Sequence, residues 1–126
     1  MAETIQTENA PAAVGAYSQA RVAGDLVFTA GQIALTADGD DRTNESVTVQ
    51  TEQCLKNIKA VLEAAGCGMD DVLKMTIYLA DIDDYATVND VYSEHVADEP
   101  PARSAVGVAS LPKGASVEIE AIATRG

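Results

Sequence analysis

At 126 residues the chain has room for one domain and one modest core. One Phe, four Tyr and no Trp leave that core to Val, Ile, Leu and Ala, while twenty acidic against eight basic residues give a formal charge of -12. Such a charge argues against nucleic-acid and anionic-membrane partners, and with no 18-residue apolar span or leader-like segment a soluble cytoplasmic protein is expected.

In chain order, the Pro- and Ala-rich stretch from Asn9 to Gly15 reads as irregular. A strand is predicted over Tyr17 to Val22 and a partner over Leu26 to Ala30, turned by Ala23-Gly24-Asp25. Ala37-Asp38-Gly39-Asp40-Asp41 is a surface loop, and Asn44-Glu45-Ser46, although it matches a glycosylation acceptor, reads as another. From Val47 to Ala65 the apolar set Leu55, Ile58, Leu62, Ala65 recurs at helical spacing, and Gly66 and Gly68 stop the helix.

Val72 to Leu79 is apolar and β-branched and predicts a strand. Asp81 to Asp84 can cap a second helix from about Asp84 to Val96, in which Tyr85, Val88, Val91, Tyr92 and His95 share a face. Pro100-Pro101 leads into a strand over Ala102 to Val108, and Leu111-Pro112-Lys113-Gly114 turns into the last, Val117 to Thr124. The result is an α+β layer with both helices on one face of a sheet. Its other face also needs cover, since Val72 to Leu79 is apolar on both sides, and the few aromatics add to the expectation of an oligomer with its open faces turned inward.

Glu118 stands within the apolar run Ala115 to Ala123, where a charge requires a partner or a purpose. The arginine of the neighbouring apolar stretch is Arg103, whose guanidinium fork fits a carboxylate, either that of Glu118 in a salt bridge or that of a small ligand. Glu118 and Glu120 point to the same face of a strand. Burial together would raise at least one pKa and suit it to proton transfer, whereas on water or an oligomer channel the pair would be ordinary. Tyr17 reads as a core or interface aromatic, and Asn89 as an amide free to act outside its helix. His95, with no triad partner in view, reads as a helix-end histidine. Cys54 and Cys67, thirteen apart without a Cys-x-x-Cys pair or a histidine cluster, read as free thiols, and no metal site is expected. No phosphate loop, Rossmann fingerprint or nucleophile elbow is present. The scattered Asp and Glu residues read as a solvated acidic surface of halophilic character, in which high salt would screen the self-repulsion.

Several segments together carry a resemblance: Thr7 to Ala20, Phe28-Thr29-Ala30-Gly31-Gln32-Ile33, Asn57 to Gly66, Tyr85-Ala86-Thr87-Val88-Asn89, Pro101 to Val106 and Leu111 to Ala123. They span nearly the whole chain, which resembles the reactive intermediate/imine deaminase family (RidA/YjgF, also the endoribonuclease L-PSP-like proteins). The resemblance implies one chorismate-mutase-like domain over residues 1–126, of the bacillary type, with a mixed sheet and two helices on one face. It also implies a homotrimer whose sheets form a central barrel and whose active clefts lie between subunits. Members hydrolyse short 2-imino acids and their enamine tautomers, such as 2-aminoacrylate and 2-iminobutanoate, to 2-keto acids and ammonia without a cofactor.

On this pattern Arg103 would bind the substrate carboxylate and Glu118 would hold and activate the attacking water. Tyr17 would wall the cleft, with Gly31 and the Asn89 region shaping it. Ala30 and Ala105 are substrate-side positions where many relatives carry Ser and Cys, so a hydroxyl and a thiol are missing from the implied pocket. Ala16 stands where Pro is common, which would leave the entrance less stiff. A non-catalytic metabolite-binding or protein-interaction trimer is the alternative reading; a ribonuclease fits the acidic surface poorly.

Overall fold

Short runs with period-two burial become strands here, and two amphipathic runs become helices. The computed structural model describes residues 2–126 and orders them as β1 (Glu3–Ile5), β2 (Ala20–Ala23), β3 (Leu26–Thr29), α1 (Val47–Ala64), β4 (Val72–Leu79), α2 (Tyr85–Ser93), β5 (Ala102–Gly107) and β6 (Val117–Thr124). The strands form one six-stranded sheet in the order β1-β2-β3-β6-β4-β5. All pairings are antiparallel except β4 with β5, which run parallel across the α2 crossover. The sheet is therefore mixed, as the family resemblance implied.

The helices cover one face. Ser46 caps α1 by accepting from the Val49 amide at 3.2 Å, so the glycosylation-like tripeptide serves as a helix start. Leu55, Ile58, Val61 and Leu62 then pack on the buried row of β6 formed by Val117, Ile119, Ala121 and Ala123, with Met75, Ile77 and Leu79 of β4 beside it. Buried polar groups on α1 are paired rather than orphaned. Gln50 donates to the carbonyls of Thr43 and Glu45 and accepts from the Ser116 amide at 2.9 Å, while Asn57 donates to Leu35 O at 2.9 Å. These bonds tie the long loop after β3 to the helix and to the start of β6. Cys54 is a buried free thiol and Cys67 a partly exposed one.

The implied barrel is not what this chain builds. β1 pairs with β2 alone and β5 with β4 alone, so the sheet has two unpaired edges and stays open. Closing it would require bonds between a three-residue strand and the far edge, and none form. Other boundaries shift for local reasons. β1 carries too little pattern in three residues to be read in advance. Tyr17 lies ahead of β2 rather than within it, because Gly15, at φ +152°, turns the chain so that the Tyr17 amide bonds back to Gly15 O at 2.9 Å. α2 stops at Ser93 instead of Val96, its end loosening into a turn that carries His95. Among the described residues no helix is long and apolar enough to cross a membrane.

Candidate active site

β6 alternates buried and half-exposed residues along its length, which puts Glu118 and Glu120 together on the face away from the helices. Tyr78 lies directly opposite Glu118 on β4, and its hydroxyl donates to Glu120. That bond, backed by burial and by the charge of both carboxylates, pushes the Tyr78 phenol up to about 12. Glu118 is itself held above the ordinary carboxylate range, first by burial and then by the charge of Glu120.

The sequence reading brings Tyr17, Gly31 and Glu118 to one site, and the structure gives them one cleft, of about 120 Å³, walled also by Gln19 and Pro112. Each wall has a local cause. The Gln32 amide donates to Ile119 O at 2.8 Å and the Ile119 amide returns a bond to Gln32 O at 3.0 Å, which lays the Gly31 segment beside Glu118. A methyl group on Gly31 would sit 2.2 Å from Glu118 Oε2 and 2.9 Å from its Cδ, so only glycine allows the carboxylate this position. Pro112 is presented by a tight turn in which Lys113, at φ 57°, takes the left-handed conformation that ordinary residues avoid. Buried Gln19 donates to Pro11 O at 2.8 Å and accepts from the Thr7 amide at 2.7 Å, pinning the irregular segment that closes the cleft. Ala30 immediately precedes Gly31, and its amide bonds to Gln19 O at 2.8 Å.

Arg103 is elsewhere. It pairs with Met75 on β4, and Met75 with Ala121, both buried against the helices, whereas Glu118 pairs with Tyr78. Met75 and Tyr78 are an odd number of residues apart in a regular strand, so Arg103 and Glu118 leave the sheet on opposite faces. Two strand spacings and three residues of offset also separate them by roughly 14 Å between Cα atoms. The anticipated salt bridge between them is not formed; among the described residues Glu3 pairs with Arg125 at 2.8 Å, and Glu52 shares a hydrogen bond with His95 at 2.7 Å.

Instead α2 receives the guanidinium. Arg103 donates to Asn89 Oδ1 at 2.8 Å and to the Tyr85 hydroxyl, beside an open recess also lined by Tyr92 and Pro101. Ala105 shares this face of β5 and packs against the core. One protomer thus carries two separate clusters, a carboxylate cleft on the open face and a guanidinium recess on the helix face.

Sequence reasoning missed Gln19, Tyr85 and Tyr92. Tyr85 and Tyr92 did appear in the helical pattern, but as core positions; the signal for more was their spacing of four and three residues around Asn89.

A family model described as endoribonuclease L-PSP matches residues 7–125. A RutC family protein of Pyrococcus horikoshii is 50% identical, with 98% of each chain covered. A 2-iminobutanoate/2-iminopropanoate deaminase of Salmonella typhimurium is 48% identical over 99% of each. Among solved structures, that of TdcF of E. coli with bound serine is similar at a TM-score of 0.90 and 42% identity, covering 98% of this chain and 99% of the other.

Proposed function

The chain belongs to the RidA/YjgF family, and from that membership we propose that it hydrolyses short 2-imino acids and their enamine tautomers to 2-keto acids and ammonia. The observation that carries the reading is the pairing of chemistries in its two half-sites, a guanidinium with donors to spare and a half-buried carboxylate facing a small cleft. A 2-imino acid needs both. Its carboxylate fits a bidentate contact with Arg103, and its protonated imine carbon needs a water aimed at it beside a proton acceptor.

In the proposed step Glu118 takes a proton as water oxygen bonds to C2, forming a carbinolamine. The proton passes to the nitrogen, the C–N bond breaks with its electron pair leaving on ammonia, and the C2 hydroxyl gives its proton to Glu118 as it becomes the carbonyl. Because the half-sites of one chain lie on opposite faces of its sheet, we place the complete site between two copies, in a homotrimer. The open face, where Phe28, Leu26 and Val106 remain about 40% exposed, supplies apolar surface for such an assembly. A charge of -12 leaves little to hold a phosphate backbone, which weighs against RNA as substrate.

The test supplies imine in place from a serine or threonine dehydratase and follows keto-acid formation at low and high salt. Acceleration by the purified protein is expected. Saturable binding of 2-keto acids with no acceleration at either salt would instead make this a metabolite-binding module.

Two further results are expected from the cleft. With Glu118 as the base, kcat/KM falls on acidification through its raised pKa, so the acid limb lies above the usual glutamate value of 4.5. Glu120→Gln removes the second cause of that elevation and leaves the first, so the limb moves to lower pH without reaching an ordinary position. A limb unmoved by the substitution would detach Glu120 from the site. Gly31→Ala is expected to lower kcat about 100-fold, because the carboxylate must leave its place, with the melting temperature close to that of the parent.

A further inference from the structure

Tyr85, Asn89 and Tyr92 occupy one face of α2 and converge on a single guanidinium. Asn89 accepts from Nη1 and the Tyr85 hydroxyl from Nη2, and the Arg103 Cζ lies 4.9 Å from the centre of the Tyr92 ring and 5.4 Å from that of Tyr85. Both distances are within the range where a cation is drawn to an aromatic face. We propose that Tyr92 is the positioning residue for Arg103, its ring seating the guanidinium so that the donors left over form a fixed carboxylate fork. This deepens the deaminase reading and rests on it for the identity of the carboxylate.

A free arginine samples many rotamers, and ordering it on a ligand costs entropy that a pre-set arginine has already lost. Of the five N–H groups of Arg103, Asn89 and Tyr85 engage two, which leaves three for a ligand. The two tyrosines differ in how they act. Tyr85 is 42% exposed and works through its hydroxyl. Tyr92 is only 3% exposed, and its hydroxyl is the one buried side-chain N or O atom among the described residues with no hydrogen-bond partner. Its contribution to Arg103 must therefore come from the ring, immobilised by the core on which it rests. A phenylalanine would do the same work, and a leucine would fill the space without offering a π face.

The test measures 2-oxobutanoate binding and coupled imine turnover for the full-length parent, Tyr92→Phe and Tyr92→Leu. Tyr92→Leu is expected to weaken binding and raise KM about tenfold, with kcat within about twofold of the parent, since a carboxylate grip acts alike on ground and transition states. Tyr92→Phe keeps parental values, and losing its unpaired hydroxyl does not lower the melting temperature. In an Arg103→Ala background, Tyr92→Leu changes kcat/KM no further. Parental binding in Tyr92→Leu, or the same loss with Arg103 absent, would overturn the proposal. If the leucine variant fails to fold, proton NMR of the parent and Tyr92→Phe decides: ring currents must shift the Arg103 guanidinium protons upfield, and unshifted resonances overturn it. A parent that binds 2-oxobutanoate in this Tyr92-dependent way but hydrolyses no imine sinks the deaminase reading and leaves the positioning role intact. Imine hydrolysis indifferent to Tyr92 does the reverse.

Discussion

Glu118→Gln is expected to lower kcat by about 100- to 10,000-fold, the range a positioned acid–base group supplies, while leaving the folded protein at least as stable as the parent. The amide matches the carboxylate in shape and cannot take the proton of the attacking water. Stability moves the other way because Glu118 ionises against burial and against Glu120. A carboxyl group with a raised folded-state pKa contributes stability that is full below its unfolded pKa and lost as pH rises through the folded one. At neutral pH the parent has therefore lost that contribution, and glutamine has no charge to lose. Kinetics and thermal melts on the same preparation check both halves. Full activity in Glu118→Gln would remove the residue from the chemistry, and a large fall in melting temperature would turn the kinetic loss into a folding defect.

β4 was legible to the residue in the sequence because it is an apolar, β-branched run, β6 because its apolar residues alternate strictly, and α1 because its apolar face runs over several turns before Gly66 breaks it. The short β1 was not, since three residues carry no usable period. Tyr17 was misplaced into a strand because the turn that excludes it depends on Gly15, whose conformation a pattern of apolar residues does not record. The site was half legible. A carboxylate in an apolar run and an isolated arginine announce themselves by their cost, but the facing of Arg103 depends on its register against β4, a non-local property. Gln19 acts through backbone carbonyls of a segment with no regular structure, and nothing in its neighbours' identities marks it. The family resemblance gathered Arg103, Asn89, Tyr17, Gly31 and Glu118 into one site, which a single chain divides between two faces of its sheet, and its barrel did not carry over to this chain's open sheet.

Mixing two variants, each strongly impaired when assayed at substrate concentrations below the parental KM, is expected to restore about one quarter of parental activity. Arg103→Ala chains keep an intact carboxylate cleft, and Glu118→Gln chains keep an intact guanidinium recess, because the two half-sites share no side chain. If the complete site lies between copies as proposed, each site of a closed ring draws Arg103 from one subunit and Glu118 from its neighbour. With equal random mixing, half the subunits carry a sound arginine and half a sound glutamate, so about one contact in four joins sound halves, whatever the number of subunits in the ring. The same arithmetic gives nothing if each chain works alone, since no single chain would then carry both groups. Co-refolding equimolar variants, with native mass spectrometry to establish that mixed oligomers form, makes the comparison decisive. Mixed oligomers without recovered turnover would mean that Arg103 and Glu118 do not meet across subunits. With opposite faces of one sheet between them in the protomer, they would then have no route to a common substrate.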